Sequence, residues 1–423
     1  MKSTLFLAIF GLLVSSGGRA GELGELLRDT LHHPQIEAAQ SLKNAAQAQQ
    51  DAATGRYLGS VVASSGWHRY EGIRVVGVYV PGQPGLPLTA DRIVQTGVNY
   101  SLPVDLFGVI AANRERAKQD VSAAELVSQQ QALLKLHQSA AAYLTLRALQ
   151  KQREELGFYR QRVEATILRV RQEVELGKTA GVEARYAESE LARLIADEAL
   201  LKGNLAQTQA ELAEASGRES FLPSVGVTPL PAWEDIPFGD TIPARLAQSR
   251  EGAARAQADE GRRALLPQVS LDANYFRNSG GGDDRDTWAF GGVISLPLGV
   301  SQYQQSAAQK HSAQAAVDQA RAALRDAERQ LVGLRAAYES ANADVSALEK
   351  EILYREEVVK VQREMQRLGS QTLENLFRHE RDLLDAQFRM AQSQARAVVS
   401  WSAAQVIAGM PAETYIAKLD TKK

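Results

Sequence analysis

The sequence predicts a mainly α-helical chain in which very long antiparallel helices accompany a small β part of four strands. Three observations lead to this prediction. Two proline-free tracts rich in Ala, Leu, Gln, Glu and Arg, 105–176 and 300–368, far exceed the usual helix length of a compact domain. Segments with alternating apolar and polar residues precede each tract, as strands do. The same order of features occurs twice in the 423-residue chain.

The two-fold repeat is inferred from prolines and glycines that end strands and helices at matched positions. A Ser-Leu-Pro triplet ends at Pro103 and again at Pro297, which lies 194 positions later. Gly177 and Gly369, at which the long helices are expected to end, lie 192 positions apart. Because proline fixes φ and donates no backbone hydrogen bond, both prolines are expected to close a strand and open a helix, lying inside neither. The matched spacing indicates an internal duplication.

The first twenty residues have the pattern of an export signal. Lys2 precedes an apolar run over 5–14, and Gly18 and Ala20 place small residues at the −3 and −1 positions of a cleavage site. Residues 1–20 are therefore predicted to be a signal peptide that is removed after Ala20. No later window has about eighteen consecutive apolar residues, so no transmembrane helix is expected in the remainder.

The first repeat is predicted to span 21–222. It begins with a helix that His33-Pro34 interrupts, since proline breaks a helix interior. A β-hairpin over 57–102 follows, with a Gly- and Pro-rich loop between its strands. A long helical hairpin over 105–215 completes the repeat, its first helix capped by a left-handed glycine. At about 1.5 Å per residue, a helix of roughly 70 residues would be on the order of 100 Å long.

The second repeat is predicted to follow a proline-rich linker, 223–243, and to span 244–410. A helix over 244–264 precedes a β-hairpin over 268–296, and a helical hairpin over 300–408 breaks at Gly369-Ser370. No helix is predicted for the C-terminal tail, 411–423.

The strands are predicted to carry one apolar and one polar face. This pattern is typical of a membrane barrel wall with a wet interior, with aromatic residues at the membrane interfaces. A water-soluble antiparallel sheet packed on a core is the alternative. Four strands cannot close a barrel, so the barrel interpretation requires several copies of the chain, most simply three. The predicted apolar faces comprise Val61, Ala63 and Trp67; Val94, Thr96, Val98, Tyr100 and Leu102; Val269, Leu271, Ala273 and Tyr275; and Trp288, Phe290, Ile294 and Leu296.

Composition argues against several classes of function. The 48 basic and 50 acidic side chains give a net charge of −2, so no basic field favours nucleic acid. The absence of cysteine removes disulfides, thiolate metal sites and a lipid-modified N-terminal Cys. The six histidines show no i, i+4 pair for metal binding and are interpreted as exposed polar residues. Neither a nucleophile with a spaced base nor a Walker-type loop occurs, so no catalytic residue, cofactor site or metal site is predicted and the chain is not expected to be an enzyme.

Together these features resemble the TolC family of outer-membrane efflux proteins, over essentially the whole mature sequence. The resemblance rests on the repeat, the Ser-Leu-Pro junctions at Pro103 and Pro297, the Leu-Gly turns at Leu176-Gly177 and Leu368-Gly369, and an entry segment 31–36 similar to the family's usual Asn-Pro entry. It implies a homotrimer with a twelve-stranded outer-membrane β-barrel and a long periplasmic helical barrel. It also implies a periplasmic adaptor (membrane fusion) protein that docks at the helix tips and couples the duct to an inner-membrane pump of the RND type.

The resemblance assigns candidate residues to two roles. Family members often carry carboxylates just past the second tip, where this chain has Asn375 and Arg378, so an acidic constriction is not expected. A gate in which Arg378 hydrogen-bonds a neighbouring chain is the hypothesis. The candidate adaptor-docking residues are Leu176, Gly177, Lys178, Arg367, Leu368, Gly369 and Ser370, and the candidate periplasmic gate residues are Glu183, Glu374, Asn375 and Arg378.

The predicted function is a passive exit duct of a tripartite efflux pump, located in the outer membrane and extending into the periplasm of a Gram-negative cell. The short tail, the absent lipid Cys and the chain length resemble the outer-membrane components of heavy-metal cation exporters. Drug efflux and type I secretion ducts of the same fold remain alternatives. A periplasmic coiled-coil adaptor or scaffold without a pore is the alternative of another class.

Overall fold

A computed structural model describes residues 21–76, 88–218, 221, 223 and 230–420. The predicted signal peptide, the loop at 77–87, part of the linker and the last three residues lie outside the described residues. Contacts divide the chain into two compact units. The helical unit comprises the residues up to Glu37, Gln130–Ile236 and the residues from Arg329 onward, and the strand-bearing unit comprises Ala38–Gln129 and Pro237–Glu328. Each unit thus draws on both sequence repeats.

The helices follow the predicted order closely. Pro34 is the first residue of the second helix, a position where its missing N–H is not needed, so the interruption at His33-Pro34 is observed as predicted. In the described part of the chain, none of the helices combines the length and apolar character needed to cross a bilayer. The helices are α1 Glu22–Thr30, α2 Pro34–Gly55, α3 Val109–Glu175, α4 Gly181–Ser216, α5 Ile242–Arg263, α6 Val300–Arg367, α7 Leu373–Ala408 and α8 Ala412–Leu419.

Four strands form one antiparallel sheet in the strand-bearing unit. They are β1 Ser60–Val76, β2 Leu88–Val104, β3 Gln268–Gly280 and β4 Asp283–Ser295, in the spatial order β1-β2-β3-β4. The central pairing of β2 with β3 joins the hairpin of the first repeat to that of the second. The fold predicted for a single chain, long helices with a small four-stranded β part, is therefore confirmed.

The register of the sheet aligns the predicted apolar residues across all four strands. Tyr100 lies opposite Val61 on one side and Ala273 on the other, and Ala273 lies opposite Phe290. Directly opposed residues share a face, so these side chains form one continuous surface. Leu296 is the exception, because β4 ends at Ser295.

The opposite face carries a ladder of amide side chains. Gln95 donates from Nε2 to Asn278 Oδ1 at 3.0 Å, and Asn99 donates to Asn274. Gly97 lies between these two rungs. A Cβ added at this position would lie 2.3 Å from the Phe276 ring, so only glycine fits there. The polar face is therefore held by cross-strand hydrogen bonds, with one aromatic ring lying over a glycine.

The first strand-to-helix junction differs from the prediction. Pro103 lies inside β2, opposite Ser270, and the strand continues to Val104. The β1–β2 ladder already ends at Ser60 and Ser101, so Pro103 has a strand on one side only, where a missing donor is tolerated. The expectation that Pro103 lies in neither strand nor helix was wrong, whereas Pro297 does lie between β4 and α6.

Asp105 fixes the start of α3, four residues later than predicted. Its carboxylate accepts hydrogen bonds from the backbone N–H of Ile110 at 3.1 Å and of Ala111 at 2.9 Å. These are first-turn donors that have no partner inside the helix. Gly108, with φ of +75°, turns the chain between the carboxylate and the helix.

The C-terminal segment contains α8, for which no helix is predicted. Tyr415 stacks on Trp401 of α7 with ring centroids 5.9 Å apart, and its hydroxyl contacts Ser402. Both rings are fully buried. Eight residues form too short a helix to be stable alone, so packing against α7 holds α8 in place.

We expect Asp105→Ala to destabilise the chain by about 0.5–2 kcal/mol, because two first-turn N–H groups of α3 lose their acceptor. Chemical unfolding of the purified protein, followed by helical circular dichroism, measures the change. Asp120→Ala, at an exposed carboxylate within α3, is the matched control. An equal effect of the two substitutions would contradict the capping role of Asp105.

Candidate functional site

The two tips of the helical hairpins have the same backbone geometry. At the end of α3, Lys178 N–H donates to Glu173 C=O at 2.8 Å and Gly177 N–H donates to Val174 C=O at 2.9 Å. This pair of bonds defines a Schellman cap.

The end of α6 repeats this cap. Ser370 N–H donates to Met365 C=O and Gly369 N–H donates to Gln366 C=O, both at 3.0 Å. Gly177 and Gly369 have φ of +70° and +73°, in the left-handed region that glycine favours.

Each cap presents a leucine to solvent. Leu176 is 68% exposed and Leu368 is 75% exposed, although leucine is ordinarily buried. Arg169 of α3 donates to Gln366 of α6 at 2.8 Å, so side chains near the two tips are in contact. The structure therefore brings together the two predicted docking segments, each with an exposed leucine beside a glycine turn.

The candidate gate residues occupy the first turn of α4 and the first two turns of α7. Thr372 caps α7 by accepting from Asn375 N–H at 3.3 Å, and the Asn375 side chain donates to Gln371 at 2.9 Å. Arg378 donates to Glu374 of its own helix at 3.0 Å, with both side chains exposed. Glu183 lies in the first turn of α4. Within the chain, Arg378 thus has an intrahelical carboxylate partner.

A buried charge cluster that was not predicted from the sequence lies between the long helices. Glu380 of α7 is only 4% exposed at its side chain and accepts from Arg363 Nε of α6 at 2.7 Å. Arg162 of α3 lies 3.8 Å from the same carboxylate. A buried carboxylate requires such partners, so Glu380 holds three helices together.

A second buried carboxylate lies beside the first. Glu190 of α4 accepts from the Tyr159 hydroxyl at 3.0 Å and pairs with Arg381 at 2.7 Å. Burial, together with the neighbouring Glu190 carboxylate, raises the pKa of Tyr159, so its hydroxyl stays protonated and donates. The rings of Tyr159 and Tyr186 both lie against Phe377, at 6.4 and 6.1 Å between centroids.

The sequence carries one weak signal for this cluster. Leu373, Phe377, Glu380 and Leu384 follow the spacing of a single helix face, so a carboxylate occupies an apolar position. That pattern marks Glu380 as unusual but names none of its partners, which lie on other helices.

The histidines are more varied than predicted. His137 of α3 is half-buried and hydrogen-bonds Ser402 at 2.7 Å, and burial lowers its pKa. His33 contacts the backbone oxygen of Glu214 at 3.1 Å. The description of every histidine as an exposed polar residue was therefore wrong for His137. Among the described residues, no group of three or more potential ligands is arranged to hold a metal ion.

The apolar face of the sheet is exposed along much of β4. Trp288, Phe290 and Ile294 of β4 are 71–80% exposed. The Arg277–Asp286 ion pair, at 3.2 Å, interrupts this face one row beyond Tyr275 and Trp288. A soluble monomer rarely exposes so continuous an apolar patch. The alternative of a sheet packed on a core within the chain is thus not observed for these residues.

We expect Gly177→Ala and Gly369→Ala each to cost about 1–2 kcal/mol, because an L side chain is strained at a left-handed φ. Thermal unfolding of the purified chain measures the effect. Gly203 is the matched control: it lies inside α4 with no atom within 4 Å of an added Cβ. Alanine at position 203 should stabilise the helix by about 0.5–1 kcal/mol. The change in stability should therefore have the opposite sign from that of the two tip substitutions.

We expect Glu380→Gln to reduce the free energy of unfolding by about 1.5–3 kcal/mol, since Arg363 loses a charged hydrogen-bond acceptor. Denaturant unfolding followed by circular dichroism measures it. Glu374→Gln removes an exposed i, i+4 pair on the same helix and should change stability by no more than about 0.5 kcal/mol. A Glu380→Gln effect as small as the control would show that the buried pair contributes little.

No family model matches the sequence. No curated protein gives a significant sequence match. Solved structures do match. The outer membrane protein VceC from Vibrio cholerae superposes with a TM-score of 0.78 at 18% identity, covering 92% of this chain and 97% of that one.

Two further solved structures match as well. The outer-membrane channel OprN gives a TM-score of 0.79 at 20% identity, with 92% of this chain and 90% of that chain covered. CusC, described in terms of folding and transmembrane channel formation, gives 0.78 at 17% identity, with 91% of each chain covered. At these identities the likeness is one of fold: over nine-tenths of its length, this chain folds like these outer-membrane channel proteins.

Proposed function

We propose that this chain is one subunit of a homotrimeric outer-membrane exit duct that serves a tripartite efflux pump. The observation that carries the proposal is the exposed apolar face of a single-layer sheet in a chain with the fold of outer-membrane channels. Lipid is the environment that such a face fits, and the amide-lined opposite face fits a wet interior.

The edges of the sheet support the trimer. Among the described residues, β1 and β4 each pair with a strand on one side only. Because unpaired strand edges are not tolerated in lipid, the sheet must continue into other chains. With β4 of each chain beside β1 of the next, three chains would supply twelve strands in alternating directions.

The apolar band has an aromatic border. On β2 the band runs from Val98 to Val104, six residue steps or about 20 Å along the strand. Apolar bands of outer-membrane barrels are about 25 Å tall and are bordered by aromatic residues. Tyr275 and Trp288 lie in the row of Val98, next to the Arg277–Asp286 pair.

The helical unit is proposed to provide the periplasmic part of the duct. Exposed Leu176 and Leu368 would be the apolar contacts for a periplasmic adaptor, with Gly177 and Gly369 setting the turns. The adaptor would couple the duct to an inner-membrane pump of the RND type, which supplies the energy. The duct itself would conduct passively.

The periplasmic gate is proposed to involve the first turn of α4 and the first two turns of α7. Arg378 would hydrogen-bond a neighbouring chain in the closed state, and its intrahelical bond to Glu374 would compete with that contact. Glu183 and Asn375 lie at the matching ends of these helices and would border the same aperture.

We propose heavy-metal cations as the cargo, on the resemblance of the chain to exporters of that kind. Asp272 on the polar face, whose carboxylate accepts from Ser270 at 3.1 Å, is consistent with a path for cations. Drug efflux and protein secretion remain alternatives of the same fold.

We expect the purified trimer to form stable conducting channels with a cation preference in planar lipid bilayers. Phe290→Arg, on the apolar face, should greatly reduce the yield of detergent-stable trimers, because a lipid-facing Arg costs about 2–4 kcal/mol near the bilayer midplane. Ala289→Arg is the matched control. Ala289 is next to Phe290 in β4 but lies on the opposite face of the sheet, so this variant should still assemble as a trimer.

Three outcomes would contradict the proposal. A protein that is recovered in the aqueous fraction without detergent and gives no conductance would instead be a periplasmic scaffold. Equal assembly of the two arginine variants would show that the apolar face does not meet lipid. A channel that shows no preference for cations would argue against a cation cargo while leaving the duct intact.

A further inference from the structure

We propose that removal of the signal peptide after Ala20 creates a partly buried ion pair, in which the new α-ammonium group of Gly21 binds the carboxylate of Asp420. The pair would fasten the N-terminal helix α1 to the end of the C-terminal helix α8. Processing would thereby complete the folded structure as well as release the chain. The inference does not depend on the proposed duct, only on cleavage at the predicted site.

The two groups already touch. The backbone nitrogen of Gly21 lies 2.5 Å from Asp420 Oδ1, although 399 positions separate the two residues. Arg28 of α1 donates to the other oxygen, Oδ2, at 3.1 Å. The Asp420 side chain is only 5% exposed, whereas that of Arg28 is 47% exposed. A buried carboxylate therefore has one partly solvated cation and one backbone nitrogen as its partners.

The first turn of α1 is shaped around this carboxylate. A Cβ added to Gly24 would lie 2.3 Å from Asp420 Cγ, so glycine permits the close approach. Gly21 is the N-cap of α1 and, as a glycine, has no side chain that could cap the helix. The Asp420 carboxylate stands at the helix N-terminus, where a negative charge is favourable.

Both helices are anchored near the contact. Leu26 and Leu27 of α1 are fully buried, as are Ile416 and Leu419 of α8. Asp420 N–H donates to Ile416 C=O at 2.8 Å, which places the carboxylate directly at the end of α8. The Gly21 nitrogen and the Asp420 carboxylate are thus each held by a packed helix. Forming the ion pair therefore costs little additional conformational entropy.

Cleavage changes the chemistry of the nitrogen. In the precursor, Gly21 N belongs to the Ala20–Gly21 peptide bond and donates one neutral N–H. A signal-processing peptidase of the exporting cell adds water across that bond, so Ala20 leaves with a carboxylate and Gly21 gains an ammonium group. A free α-amino group has a pKa of about 7.7–8.0, so it is mostly charged at pH 7. Hydrogen bonds between charged partners are shorter and roughly twice as strong as neutral ones.

The test compares two full-length forms of the purified protein. One begins at Gly21, and the other carries two extra glycines before Gly21, so that its nitrogen remains a neutral amide. Intact mass spectrometry establishes each N-terminus, including that of the naturally exported protein. Amide hydrogen exchange of peptides covering 22–30 and 412–420 then reports local opening of α1 and α8.

We expect Asp420→Asn to speed exchange in these peptides about tenfold in the form that begins at Gly21 and about threefold or less in the extended form. Asp29→Asn, which removes the more exposed pair with Arg218, is the matched control and should act equally in both forms. If Asp420→Asn fails to fold, the two wild-type forms still decide: the form that begins at Gly21 must exchange more slowly.

Either of two results would overturn the inference. An equal effect of Asp420→Asn in both forms would mean that the charge on Gly21 adds nothing. An exported protein whose N-terminus is not Gly21 would remove the ammonium group from this position. Neither result would bear on channel conductance, so failure here is distinguishable from failure of the proposed duct.

Discussion

The structure depends on one constraint: the exposed apolar face of its single-layer sheet must be covered. Trp288, Phe290 and Ile294 are largely exposed, and the described residues place no strand beyond β1 or β4. Burying this face and satisfying both strand edges requires surfaces that a single chain does not supply. Under the proposed function, neighbouring chains would complete the sheet and lipid would cover its apolar face.

The helical unit differs from the sheet, because it buries charged groups within the chain. Glu380 and Glu190 lie among apolar side chains and are matched there by arginines and by the Tyr159 hydroxyl. Such clusters contribute little net stability compared with apolar packing, but they penalise any arrangement that separates the partners. The register of the long helices near their tips is thereby specified, while the exposed Leu176 and Leu368 stay available at the caps.

The boundaries of the two sequence repeats differ from those of the two compact structural units. Each compact unit takes segments from both repeats, and β2 of the first repeat pairs with β3 of the second. The repeats also differ in detail. Pro103 lies within a strand and Pro297 outside one, because the ladder on the β1 side stops short of Pro103. The same Ser-Leu-Pro triplet therefore lies in a strand in one repeat and partly outside a strand in the other, because the strands beside it differ.

The sequence by itself determined what depends on near neighbours along the chain. Helical period, alternation, the break before Pro34 and the glycine caps at Gly177 and Gly369 are local, so the elements and their order could be predicted, with errors of a few residues at most ends. The resemblance of the pattern to a known family then supplied the fold.

Only the tertiary structure decided which distant residues meet. Asp420 reaches Gly21, Glu380 reaches Arg363 from another helix, and Tyr415 is buried against Trp401, which makes a helix of a segment too short to be stable alone. These contacts depend on how helices far apart in sequence pack together, and no periodicity within one segment encodes its partner.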